Sequence, residues 1–149
     1  MGQMKSGRGN DILVAYGVGS CVIAVCYDST RPLAVMLHAV LPEKPEKRAE
    51  ISKYVDTGIE ASIKSLLDEK TNIKDIKAKV FGGARMFDIK TEGNTIGGRN
   101  AEKAREVLEL KGIRIEAEDT GRDYGRTIEY FVADNRAEVK SFKKGTVIF

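Results

Sequence analysis

Two short apolar runs dominate the first third of the chain. Val22–Tyr27 and Leu33–Leu41 are almost wholly apolar, a pattern typical of strands that are buried on both faces. Between them, Asp28–Arg31 and the following Pro32 favour a turn. The sequence therefore predicts an antiparallel hairpin in the interior of the protein.

Helical and alternating patterns follow this hairpin. Apolar residues at helical spacing predict a helix over Ser52–Lys70, with Ser52 as its N-cap, and a second helix over Ala101–Lys111, capped by Asn100. A long loop is predicted over Ala84–Arg99. Further strands are predicted at Ile76–Val80, Ile113–Ala117, Thr127–Val132, Ala137–Phe142 and Thr146–Phe149. This order predicts a mixed protein of the α+β class with about two long helices, rather than an alternating doubly wound sheet.

Composition narrows the class of protein. A length of 149 residues suits one domain, predicted over residues 11–149 after a flexible tail over residues 1–10. The net charge of +3 is small and the basic residues are scattered, so a nucleic-acid partner is not expected. No apolar run approaches the roughly 20 residues of a membrane span, and no signal peptide is evident, so we expect a cytoplasmic protein without membrane insertion. One histidine and two cysteines predict neither a metal site nor a cofactor.

Three glycine-rich loops lie beside predicted strands and helices: Gly17–Cys21, Phe81–Ala84 and Gly97–Asn100. None has the ending of a phosphate-binding loop or the full dinucleotide fingerprint, and each alone is explained as a tight turn. The first differs because it delivers Cys21 to the start of a buried strand. Backbone N–H groups near Cys21, at Gly19 and Ser20, are therefore candidates to hold an oxyanion or position a substrate.

Cys21 and the single histidine, His38, are candidates for a catalytic pair. If Asp28–Arg31 is the hairpin loop, Tyr27 faces Pro32 and Cys21 faces His38, with Cβ atoms about 4.5–5.5 Å apart. A slip of one residue would place the two side chains on opposite faces. Each also fits a purely structural role, Cys21 as a small buried hydrophobe and His38 as a satisfied polar residue.

The chemistry of such a pair suits amide hydrolysis. An imidazole beside a thiol can take its proton and lower the thiol pKa, which creates a nucleophile for amides and esters. His38 would then protonate the leaving amine and activate the water that hydrolyses the thioester. Cys26, inside the apolar run, is expected to be buried and inert, whereas Cys21 is expected to be partly exposed at a loop end.

Several segments in order resemble the CheD family of chemoreceptor glutamine deamidases, over about residues 12–140. They are Gly17–Val22, His38 with Leu41-Pro42, Lys53–Asp56, Gly82–Phe87, Ile96–Asn100, and Glu118–Gly121 with Gly125-Arg126. The resemblance implies packed β-sheets flanked by helices, related to the cytotoxic-necrotizing-factor deamidase toxins.

The same resemblance implies an activity, a site and partners. It implies conversion of receptor glutamines to glutamate with release of ammonia, and methyl-ester hydrolysis as a possible side activity. Cys21 would be the nucleophile and His38 the general base. The expected partners are methyl-accepting chemoreceptors, as substrates, and a CheC-type CheY-phosphate phosphatase.

Two positions depart from the family pattern. The family's third catalytic residue, a threonine, is Ala15 here, and Arg122 replaces a glycine. Loss of a hydrogen bond that orients the imidazole would cost about 1–3 kcal/mol in the transition state. The alternative function is therefore a weakly active or inactive module that regulates the phosphatase; a depressed Cys21 pKa would favour the enzyme.

Met86 and Phe87 either cap the core beneath their loop or form a partner-binding patch.

Overall fold

The computed structural model describes residues 2–87 and 95–149. The strands are β1 Gln3–Arg8, β2 Ile12–Val18, β3 Val22–Asp28, β4 Leu33–Ala39, β5 Ile76–Gly82, β6 Arg114–Thr120, β7 Arg126–Phe131, β8 Arg136–Ser141 and β9 Gly145–Ile148. The helices are α1 Val55–Asp68 and α2 Ile96–Leu110, with short 3₁₀ turns at Ile51–Lys53 and Ile73–Asp75. The predicted α+β class with two long helices is confirmed.

The strands form two sheets. The first has the order β1-β4-β3-β5-β6, in which only the β5–β6 pair is parallel. The second has the order β2-β7-β8-β9 and is antiparallel throughout. We call them the large sheet and the small sheet.

The protein has three layers with a hydrophobic core between each neighbouring pair. One face of the large sheet packs against α1 and α2, and the other face packs against the small sheet. Strand β3 lies in the middle and is buried along its whole length. Its continuous apolar run reflects burial on both faces, as the sequence predicts.

The N-terminal segment differs from its prediction as a flexible tail. Gln3–Arg8 form β1, an edge strand that pairs antiparallel with β4. The sequence does not predict this strand, because most of its side chains are exposed and polar and it pairs with β4 through the backbone alone. Strand β2 is also absent from the predicted elements, because its outer face carries apolar side chains at Ile12, Val14 and Tyr16 and shows no alternation.

Both helices begin at other residues than predicted. Helix α1 starts at Val55, and the Ser52 hydroxyl donates to the Gly2 carbonyl instead of capping the helix. Helix α2 starts at Ile96, and the Thr95 hydroxyl accepts from the Gly98 N–H as its cap. Asn100 therefore lies inside α2, and the predicted loop Ala84–Arg99 is shortened at its C-terminal end. Residues 88–94 of that loop lie outside the described residues.

Neither helix in the described parts of the chain is long and apolar enough to cross a membrane.

Candidate active site

The hairpin of β3 and β4 pairs two residues away from the predicted register. Tyr27 pairs with Ala34 rather than Pro32, and His38 pairs with Ile23 rather than Cys21. The turn is displaced because Asp28 remains in the strand and its buried carboxylate accepts from the backbone and side chain of Thr30 and from Arg31. Pro32 has no N–H to donate to the strand ladder, so it stays in the turn.

Cys21 and His38 nevertheless share one face of the large sheet. Cys21 lies two residues before Ile23, the partner of His38, so the two are diagonal neighbours on the side that faces the small sheet. Diagonal positions are typically about 7–8 Å apart across antiparallel strands. The direct opposition predicted from the sequence is wrong, but the predicted sharing of a face is confirmed. A sulfur-to-imidazole approach of about 4–5 Å remains a prediction.

The three glycine-rich loops pack against one another around Cys21. The Gly83 N–H donates to the Cys21 carbonyl at 2.7 Å, and the Ala84 N–H donates to the Gly19 carbonyl at 2.9 Å. A side chain at Gly82 would overlap the Cys21 carbonyl oxygen. A side chain at Gly97, in the third loop, would overlap the carbonyl oxygen of Ala84. These glycines are required for close approach between loops, which the interpretation as separate tight turns did not anticipate.

Asn100, the last residue of the third loop, contacts both chain segments that carry the candidate pair. Its side chain is fully buried, and its Nδ2 donates to the carbonyls of Ser20 and Val40, each at 2.9 Å. Ser20 precedes Cys21, and Val40 lies two residues after His38. Sequence reasoning missed this contact because it assigned Asn100 to a helix cap; the available signal was a polar residue next to a glycine pair.

Burial favours the neutral forms of both candidate catalytic groups. Burial raises the pKa of the Cys21 thiol above its ordinary value of 9.0 and lowers the pKa of His38 to about 4. The Nε2 atom of His38 is buried and has no hydrogen-bond partner among residues 2–87 and 95–149. At pH 7 the thiol is therefore protonated and the imidazole is neutral, which is opposite to the depressed thiol pKa expected for a resting ion pair.

Burial distinguishes the two cysteines less than expected. The exposed fraction of Cys21 is 5%, so the expected partial exposure is wrong. Cys26 is fully buried, as predicted, and its pKa is raised to about 12 by desolvation. The two thiols face different cores: Cys21 lies between the sheets and Cys26 lies under the helices.

Ala15 lies on the inner face of β2, in the same core as Cys21. It pairs with Ile128, and the strand is irregular between Ala15 and Val18. The neighbouring Tyr16 is 73% exposed, so its hydroxyl points away from this core. Gly19 and Ser20 are half-buried, and their carbonyls accept from Ala84 and Asn100. Their role in holding an oxyanion remains a prediction.

Met86 lies beside the Cys21 loop, and both Met86 and the following Phe87 are exposed. The Met86 side chain covers Gly19, where an added Cβ would approach its Cγ to 2.9 Å. Phe87 has an exposed fraction of 78%. This exposure excludes the core-capping interpretation for Phe87 and leaves the partner-binding interpretation as a proposal.

The described residues contain no cluster of three or more His, Cys, Asp or Glu side chains that would hold a metal ion. Cys21 brings a thiol to this site and His38 brings an imidazole.

Comparison with known proteins identifies a family. The model of the family "CheD chemotactic sensory transduction" matches residues 40–141. A probable chemoreceptor glutamine deamidase CheD from Caldanaerobacter subterraneus is 41% identical over 97% of this chain and 92% of its own length. One from Pyrococcus horikoshii is 38% identical over 99% of this chain and 93% of its own. The chemoreceptor glutamine deamidase CheD of Thermotoga maritima is 33% identical over 90% and 84%.

Proposed function

This chain belongs to the CheD family, and we propose that it is a protein-glutamine deamidase that acts on chemoreceptors through Cys21 and His38. The names of the relatives, chemoreceptor glutamine deamidases, support the substrate and the reaction. The observation that carries the assignment to these residues is their shared face of the large sheet, at the point where the three glycine-rich loops meet.

The reaction begins from neutral groups. His38 takes the proton of the Cys21 thiol as the sulfur attacks the side-chain carbonyl carbon of a receptor glutamine. The tetrahedral intermediate collapses to a thioester when His38 returns that proton to the departing amine, which leaves as ammonia. A water molecule, deprotonated by His38, then attacks the thioester, and the released thiolate recovers its proton to leave glutamate and the free enzyme.

His38 is suited to the role of base because burial keeps it neutral. A lowered pKa of about 4 means that the imidazole can accept a proton throughout the neutral range. The same lowering makes it a weak base, so the proton transfer must be concerted with attack on the substrate carbonyl. Backbone N–H groups of the Cys21 loop would stabilise the oxyanion, with Gly19 and Ser20 as the candidates.

Mass spectrometry of a receptor fragment tests this function. Incubation with the wild type should add about 1 Da for each converted glutamine and release ammonia, whereas Cys21→Ala and His38→Ala should not. Cys26→Ala is the matched control, because it removes a thiol from the other core and should retain activity. Unmodified fragments after incubation with a folded wild type would refute the proposal.

A second candidate function is a weakly active binding module that regulates a CheC-type CheY-phosphate phosphatase. The raised pKa of Cys21 and the missing hydroxyl at Ala15 favour it. It predicts that the wild type and the Cys21→Ala variant change the rate of the phosphatase by the same amount. The deamidase proposal predicts that the Cys21→Ala change removes a catalytic turnover that the wild type possesses.

A further inference from the structure

We propose that Asn100 is a positioning residue of the deamidation reaction, which holds the peptide before Cys21 and the end of β4 at a fixed offset from each other. This inference rests on the proposed function and deepens it. Its basis is the pair of hydrogen bonds from one buried carboxamide to the carbonyls of Ser20 and Val40.

The β3–β4 ladder ends one residue before it would include Cys21. The last residues paired between β3 and β4 at this end are Val22 and Ala39. Cys21 and Val40 therefore lie beyond the ladder, where backbone pairing no longer fixes the spacing of the two strands. The Asn100 carboxamide takes over this task, because its Nδ2 atom bridges carbonyls that belong to the two different chain segments.

The orientation of the carboxamide follows from its partners. Both contacts are carbonyl oxygens, which can only accept, so the nitrogen and not the oxygen must face them. The Oδ1 atom is buried and has no partner among the residues that the structure describes. A group that leaves its own acceptor unsatisfied in order to hold two carbonyls is costly for stability alone, which is a reason to look for a role in catalysis.

The hydrogen bond from Asn100 to the Ser20 carbonyl also sets the direction of the Cys21 backbone N–H. A trans peptide is planar, so fixing the Ser20 carbonyl fixes the Cys21 N–H on the opposite side of the same plane. The hydrogen bond from Asn100 to Ser20 therefore fixes the direction of a backbone donor in the residue that carries the nucleophilic sulfur.

Asn100 is itself held on a rigid support. It lies in the second turn of α2, and the start of this helix packs directly on the loop that hydrogen-bonds to Cys21. One helix thus contacts both sides of the site, by the backbone at Gly97 and by the side chain at Asn100. Sites mounted on helices keep their geometry more accurately than sites carried by loops alone.

The test is a comparison of kcat and KM for a receptor fragment in the wild type, Asn100→Ala and Asn100→Asp. Loss of the two Asn100 hydrogen bonds should lower kcat about 10- to 100-fold and leave KM within about 3-fold, because small misplacements of reacting groups act on the chemical step. Asn100→Asp keeps the side-chain volume but turns an oxygen toward two carbonyls. A positioning role predicts that it is at least as impaired as Asn100→Ala, whereas a space-filling role predicts near-normal kcat.

The matched control is Ser62→Ala, which removes another buried polar group, a hydroxyl that donates to the Gly58 carbonyl within α1. This variant should lose stability and keep its kcat. Either Asn100 variant that folds decides the question: a kcat within about 2-fold of the wild type would overturn the assignment alone. A wild type that deamidates nothing would instead overturn the proposed function, and the assignment with it.

Discussion

The ionisation of Cys21 in the resting protein can be measured directly by its reaction with iodoacetamide. Only the thiolate reacts, so the rate follows the thiolate fraction. Because burial raises the pKa of Cys21 above 9.0, the rate should still be rising at pH 9. A pKa of 9 or more leaves about 1% thiolate or less at pH 7, so the rate should increase about 50- to 100-fold from pH 7 to pH 9.

The assay follows alkylation of the Cys21 peptide by mass spectrometry at short times, with a small free thiol as reference for reagent chemistry. Cys26 is an internal control, since its full burial and a pKa of about 12 should prevent labelling over the same range. A rate that is already at its plateau at pH 7 would show a resting thiolate–imidazolium pair and refute the electrostatic reasoning. The pH dependence of kcat/KM is less decisive, because the neutral pair and the ion pair hold the same number of protons.

Three further changes test other parts of the molecule. Ala15→Thr adds a hydroxyl and a methyl group to a buried position. It should raise kcat about 5- to 150-fold if an orienting hydroxyl is missing, and it should lower the free energy of unfolding by about 1–3 kcal/mol. An unchanged turnover would mean that another group orients His38. Asp28→Asn should lower the urea-derived stability by about 2–3 kcal/mol, because it weakens the hydrogen bonds that the carboxylate accepts from Thr30 and Arg31 in the β3–β4 turn and from Thr71 after α1. Burial opposes ionisation of Asp28, but hydrogen bonds from Thr30, Arg31 and Thr71 outweigh it and lower its pKa, so this difference should be full above about pH 4 and shrink below it. Phe87→Ser should raise KM for a receptor fragment about 5- to 30-fold with little change in stability, whereas Leu110→Ser, which alters a side chain of equal exposure at the end of α2, should leave KM unchanged.

The buried centre of the fold could be predicted from the sequence, and its edges could not. The strands at Val22 and Leu33 and the two helices produce clear apolar patterns because they face a core. The edge strand β1 pairs through its backbone and exposes polar side chains, so no periodicity reveals it. Strand β2 is not predicted for the opposite reason: apolar residues lie on its outer face as well as its inner face, so the sequence shows no alternation of apolar and polar residues.

The candidate pair can be identified from the sequence, but the contacts that surround it cannot. Cys21 and His38 are unusual residues in short apolar segments, so composition alone draws attention to them. The contacts that bring Gly83 and Gly97 to the Cys21 loop join residues far apart in the chain. Spacing within one segment carries no information on such contacts, which depend on how α2 and β5 pack.

The observed register differs from the predicted one by two residues and leaves Cys21 and His38 on one face of the large sheet. Side chains alternate along a strand with a period of two, so a two-residue shift keeps Cys21 and His38 on one face, and a shift of one would have separated them. The shift does change the relation from direct opposition to a diagonal, which increases the distance that must be controlled. It also moves Cys21 beyond the end of the β3–β4 ladder, where its carbonyl accepts from the Gly83 N–H and the ladder no longer sets its distance from β4. A hydrogen-bonding side chain from a third element is then needed to keep the offset, and Asn100 is placed to supply it.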